Sequence, residues 1–171
     1  MGINNSSNIS FKKIKTMKIQ KSKSIIVANN KYIVSYAESQ SSKITDINTN
    51  LFKIIEYNSM DLILKFHPKF ENIFLLAEEN NIKIYEFIKD KCEERVHVTG
   101  HSKPIIAAVF SNTEDKIFAT YSKDNTIKIW NLENPFCICN ISVINIITEM
   151  QIYKNFIFYY DNAENCIIQY D

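Results

Sequence analysis

The sequence predicts an all-β chain built from repeated four-stranded antiparallel units. Three observations carry this reading. Apolar and polar residues alternate over short runs between polar turns, and no run keeps the 3.6-residue period of an amphipathic helix. Three stretches share a local text: Asn81-Ile82-Lys83-Ile84-Tyr85, Thr126-Ile127-Lys128-Ile129-Trp130 and Cys166-Ile167-Ile168-Gln169-Tyr170. Their spacing is regular, with Tyr85 lying 45 residues before Trp130 and Tyr170 lying 40 after it. Such a period fits four short strands and their turns.

In chain order, residues 1–24 form a basic arm, and the repeats fill residues 25–57, 58–98, 99–142 and 143–171. The first set holds strands at 25–28, 32–37, 43–47 and 51–57, and it is weakly marked, with Ile47 the nearest residue to an aromatic closing position. The second holds strands at 61–66, 73–77, 81–87 and 95–98. The third is the best defined: strands at 105–110, 117–122, 126–130 and 136–141, with a tight polar turn at Lys123-Asp124-Asn125. Phe66-His67-Pro68 stands in the second set where Phe110-Ser111-Asn112 stands in the third. The fourth opens at 146–153, 156–160 and 166–170, which makes about three and a half units in all.

Composition narrows the function classes. The chain has 171 residues, 46% hydrophobic, enough for a sizeable core. Its net charge of +1 argues against a surface that coats nucleic acid. The charge is uneven, however: seven lysines and no acid lie between Met1 and Lys31. Cys92, Cys137, Cys139 and Cys166 form no Cys-x-x-Cys pair. Cys137 and Cys139 at strand spacing share one face, and the four are expected to be small buried hydrophobes in a reducing compartment. No apolar run reaches the length of a membrane-spanning helix, and no phosphate loop or dinucleotide fingerprint occurs. His67 and His97 lack acids or cysteines at ligand spacing, so neither a metal nor another cofactor is expected.

The stretch from Gly100-His101 to Trp130-Asn131 resembles one repeat of the WD-repeat β-propeller family, and the flanking sets resemble degenerate repeats. The resemblance implies an all-β propeller, here a partial or incomplete ring. It also implies a buried polar network. The Asp124 carboxylate would accept from the ring of His101, the other ring nitrogen would meet Ser122, and Ser122 would meet the indole N–H of Trp130. Ser, His and Asp are also triad residue types, but no Gly-x-Ser-x-Gly elbow and no oxyanion segment accompany them, so no catalytic residues are expected. The second and fourth sets carry Ala77, Glu79, Tyr85 and Asn162, Glu164, Tyr170 at the corresponding places.

The resemblance further implies a non-catalytic scaffold for protein–protein contacts, with Pro104, Ile106 and Lys123 facing partners; Met60, Leu62 and Glu78 align with them in the second set. At the N-terminus, Met1-Gly2-Ile3-Asn4-Asn5-Ser6 fits the pattern for myristoylation of Gly2, and Lys12, Lys13, Lys15, Lys18, Lys21 and Lys23 would add a second membrane signal. One acyl chain alone binds at about 10⁴ M⁻¹, and each lysine near an anionic leaflet adds about 1 kcal/mol. The expectation is an intracellular, cytoplasmic scaffold recruited to a membrane surface. The alternative is a nuclear subunit of an RNA-processing or ribosome-assembly complex, its lysine arm touching phosphates. Self-association to complete a ring is a further expectation.

Overall fold

A computed structural model describes residues 24–37, 41–49, 52–56, 62–89 and 91–170. The described residues form fifteen strands and no helix. The first sheet is β1 (Ser24–Ala28), β2 (Tyr32–Ala37), β3 (Ser41–Asp46) and β4 (Phe52–Glu56). The second is β5 (Leu62–Phe66), β6 (Ile73–Glu78), β7 (Asn81–Ile88) and β8 (Lys91–Thr99). The third is β9 (Ile105–Phe110), β10 (Ile117–Ser122), β11 (Thr126–Asn131) and β12 (Cys137–Ser142). The fourth is β13 (Ile147–Tyr153), β14 (Phe156–Asp161) and β15 (Cys166–Tyr170). Each sheet is an antiparallel meander with its strands in sequence order. The weakly marked first set is thus a complete four-stranded blade. The basic arm before Ser24, including Gly2 and the lysines from 12 to 23, lies outside the described residues, as does Met60.

Isoleucine and aromatic residues at alternate positions drive the strands, because branched and ring side chains pack well on a pleated surface. In β14, for example, Ile157 and Tyr159 are buried while Phe156, Phe158 and Tyr160 are half-buried. The blades stack face to face, and each junction has its own apolar cluster. Tyr32, Val34 and Ile44 meet Leu64, Phe74 and Leu76 between the first and second blades. Ile73, Leu75, Ile82 and Ile84 meet Phe110, Phe118 and Trp130 between the second and third. Tyr121 and Ile127 meet Ile147, Ile152, Ile157 and Tyr159 between the third and fourth. Full burial of one such side chain contributes about 1.5–3 kcal/mol. The innermost strands pack in series, β1 on β5, β5 on β9 and β9 on β13.

The turn after the first strand of a blade needs acceptors for the amides that leave the ladder. Asn29 Oδ1 accepts from Lys31 and Tyr32 N–H (2.8 and 2.7 Å) in the first blade. His67 Nδ1 accepts from Lys69 and Phe70 N–H (3.1 and 3.0 Å) in the second. Ser111 Oγ accepts from Thr113 and Glu114 N–H (3.3 and 3.0 Å) in the third. Three different side chains therefore perform one task at one place in the repeat. Glycine is scarce, so left-handed turn positions fall to Glu79, Lys89, Asn125, Lys154 and Asn165, with φ between 45° and 63°.

Two expectations about the cysteines are corrected. Cys137, Cys139 and Cys166 are exposed, and only Cys92 is partly buried, its thiol pushed up to about 11 chiefly by burial. A register shift sets Cys137 opposite Trp130 and Cys139 opposite Ile129. Those partners are consecutive residues of β11, so the extra residue at Ile138 breaks the simple alternation that would place both thiols on one face.

Candidate functional site

The third blade carries a dense buried polar network. His101, whose side chain is fully buried, sits in the segment that enters β9. Its Nδ1–H donates to Asp124 Oδ2 at 3.0 Å. Its Nε2 meets Thr120 Oγ1 at 2.8 Å, and Trp130 Nε1–H donates to the same hydroxyl oxygen at 2.8 Å. The Thr120 hydroxyl therefore donates to the imidazole and accepts from the indole. Asp124 also accepts from Ser102 N–H (3.0 Å), Thr126 N–H (3.0 Å) and Thr126 Oγ1–H (2.6 Å).

Thr120, not Ser122, is thus the hydroxyl between ring and indole. Strand geometry explains the correction. Trp130 pairs with Phe118 across the β10–β11 ladder. At about 3.4 Å per residue, Thr120 lies about 7 Å along the strand from that pair and Ser122 about 14 Å. An indole spans the first distance and not the second. The Ser122 hydroxyl instead donates to Lys103 O at 2.7 Å and accepts from Asp124 N–H at 3.1 Å, tying the entry loop to the hairpin turn. It makes no contact of the kind a serine nucleophile makes with its histidine base. The signal in the sequence was Thr120 itself, which shares the strand face of Ser122 two residues earlier.

The electrostatics favour a neutral ring. Burial lowers the pKa of His101, and its bond to Asp124 offsets only part of that. Burial by itself would raise the Asp124 carboxyl. The bonds from Thr126, the Ser102 amide and His101 outweigh it and hold the carboxyl well below the ordinary carboxylate range. A neutral imidazole with its proton on Nδ1 satisfies every partner, so the network is a chain of hydrogen bonds rather than an ion pair. Gly100 belongs to the same construction. A Cβ there would lie 2.8 Å from the Trp130 Cη2, while its φ is not positive. Close approach to the indole, not backbone freedom, requires glycine.

His67, which precedes Pro68 in the turn after β5, is buried and bridges two blades. Its Nδ1 is committed to the two turn amides, so the proton sits on Nε2, which donates to Asp115 O of the third blade at 2.8 Å. Lys69 pairs with the Asp115 carboxylate at 2.6 Å beside it. His97 is half-exposed, 4.0 Å from Glu94. Among the described residues no group of three or more His, Cys, Asp and Glu is placed to hold a metal ion.

Pro104, Ile106 and Lys123 lie at one end of the third blade. All three are exposed, and Lys123 N–H donates to Pro104 O at 2.9 Å, which joins the entry loop to the hairpin turn. Ile106 also lines an open cavity of about 540 Å³ where β5, β9 and β13 converge, together with Leu62, Leu64, Ala108 and Met150. Leu62 and Glu78 in the second blade are half-buried.

No protein-family model and no curated protein matches the chain. Solved structures do. It is similar to the computationally designed Ika4 protein, with a TM-score of 0.68 and 20% identity over 84% of this chain and 86% of that one. It is similar to the computationally designed Ika8 protein at 0.68 and 20%, over 84% of this chain and 44% of that one. It is also similar to the WD40 domain of Toxoplasma gondii coronin at 0.72 and 15%, over 84% of this chain and 41% of that one. The chain spans less than half the length of the two longer proteins. These likenesses show the fold: an all-β, WD40-like propeller arrangement of blades.

Proposed function

We propose that this propeller is a non-catalytic platform for protein–protein contacts, brought to a membrane surface by its N-terminus. The observation that carries the reading is the joined, exposed set Pro104, Ile106 and Lys123 beside the cavity at the inner strands. It combines apolar contact with a single charge on rigid backbone, the mixture that suits the core and rim of a partner site. The polar network beneath it fixes the loop and the turn that present these residues, so a partner meets a preorganised surface. Gly2 and the lysines from 12 to 23 supply the two signals that stable membrane attachment needs.

Proximity labelling in cells tests the platform. The variant Ile106→Glu with Lys123→Glu should lose a discrete set of labelled neighbours while its melting temperature holds. An unchanged set counts against the assignment. Recruitment is tested separately with a clickable myristate analogue. Gly2→Ala should abolish labelling and release the protein from membranes. Salt-sensitive RNA binding by a chain that takes no acyl label would instead favour the RNA-complex alternative.

A further inference from the structure

We propose that a slot between the second and third blades captures the C-terminal residue of a partner protein. The partner's terminal carboxylate forks to Arg95, and its apolar side chain seats on Ile73 and Leu132. The slot is a second surface, separate from the platform. β10 runs from Ile117, beside the slot, to Ser122, beside Lys123 of the platform. At about 3.4 Å per residue the two surfaces lie about 17 Å apart, at opposite ends of the blade. The inference therefore stands or falls independently of the platform reading.

The cavity measures about 300 Å³, and its lining comes from these two blades. Ile73 and Leu132 belong to the apolar cluster between them and, being buried, form its floor. The Phe70 ring, 38% exposed, adds apolar surface. The backbone around it is pinned. Ile73 N–H donates to Phe70 O at 3.1 Å, Phe87 N–H to Asn72 O at 2.8 Å, and Leu132 N–H to Lys116 O at 2.8 Å. Ligand cavities span about 300–1,000 Å³, so this one has room for one side chain and its carboxylate rather than a nucleotide.

Three ion pairs surround the slot. Lys69 with Asp115 (2.6 Å) and Lys116 with Glu133 (2.7 Å) are closed, whereas Arg95 Nη1 stands 3.5 Å from Glu86 Oε2. Glu86 has a second partner, since its Oε1 accepts from Asn72 Nδ2 at 3.1 Å. Arg95 has none. Its side chain is 41% exposed, and its other N–H groups meet no acceptor among the described residues. The group with bonding capacity left is thus the cation, which selects an anion. Three neighbouring carboxylates restrict that anion to a single charge and disfavour a phosphate.

Arg95 is the one arginine among the 20 lysine and arginine residues. It is also the extra residue of a β-bulge, since Ile84 pairs with Val96 and Tyr85 with Glu94. Bulges re-aim side chains. A guanidinium offers two parallel N–H donors to one carboxylate, which an ammonium cannot. A chain terminus carries its carboxylate and its side chain on one Cα, so a single residue fills both halves of so small a slot. An internal acid beside an apolar residue would need two.

The test is an NMR titration of the isotope-labelled full chain with acetyl-Gly-Gly-Phe and acetyl-Gly-Gly-Leu, each with a free terminal carboxylate. Saturable shifts are expected at the amides of Asn72, Glu86, Arg95 and Glu133. Amidating the peptide terminus should weaken binding by about tenfold or more, the scale of a lost charge-assisted bond. Arg95→Gln should do the same at an unchanged melting temperature, with Arg95→Lys in between. Equal binding of the amidated peptides, or of acetyl-Gly-Gly-Gly with a free carboxylate, would overturn the proposal. So would shifts centred on Ile106 and Lys123, an Arg95→Gln chain that binds like the parent, or no saturable shift with either peptide at millimolar concentration. Acetyl-Gly-Asp-Phe-Gly amide binding as tightly as the free acids would overturn the assignment to a chain terminus.

Discussion

Trp130 is the only tryptophan, and its indole N–H ends in the hydroxyl of Thr120. Replacing Thr120 with Val keeps the shape and removes both bonds. It strands a buried indole donor and the imidazole acceptor, at a cost of about 1–3 kcal/mol for each group left unpaired. Trp130 fluorescence should shift and the melting temperature fall. Ser122→Ala should also destabilise, by losing the Lys103 and Asp124 bonds, but with the indole emission unmoved. Equal spectral effects would contradict the assignment. The buried histidines set a pH response. Burial lowers the pKa of both His67 and His101 below 6.5, for His67 against a partial offset from Asp115 and with Lys69 acting in the same direction as burial. The unfolded chain then binds protons first, so stability falls as pH drops below about 6.5. His67→Asn retains an acceptor for the turn amides and should flatten part of that slope. Melting curves at pH 7.5 and 5.5 decide it; an unchanged slope would place the effect elsewhere.

At the scale of one element, the entry to β9 is a close-packed piece rather than a slack connection. Gly100 lies under the Trp130 ring, Ile105 N–H reaches back to Glu79 O at 2.6 Å, and Asn80 donates to His101 O at 3.3 Å. Gly100→Ala must move an indole packed on all sides, and overpacking of that kind costs about 1–3 kcal/mol. The expected result is a lower denaturation midpoint with altered Trp130 emission; wild-type stability would mean that the loop yields freely. The Glu79 turn tells the opposite story. Its φ of 51° holds a glutamate in the left-handed region, which asparagine tolerates better. Glu79→Asn should stabilise by about half a kcal/mol, using αL tolerance as the yardstick, and a loss of stability in urea melts would show that the glutamate side chain matters there.

Across the whole molecule, stability is carried by nearest-neighbour junctions, as in any stacked array. Among the described residues, the second and third blades carry an apolar cluster on both faces and the first and fourth on one. Hydrogen exchange by the full chain should show slowest amides in β6 and β10 and faster ones in β3 and β14. Uniform protection would mean that the four sheets unfold as one cooperative block.

Alternation, turn chemistry and the recurring text by themselves determined the strands and their grouping. Local rules of that kind act within a few residues, so they can be read in one dimension. The polar network was only partly legible: the resemblance to a WD repeat implied the pairing of Asp124 with His101, yet the hydroxyl partner depended on which residue of β10 stands opposite Trp130. The inter-blade role of His67 could not be read at all, because its Nε2 partner is a carbonyl 48 residues away that any residue at 115 would supply. The exposure of three cysteines likewise depended on where the blade edges fall. Tertiary structure decided these points because ladder register and blade-to-blade stacking join groups that are remote in sequence.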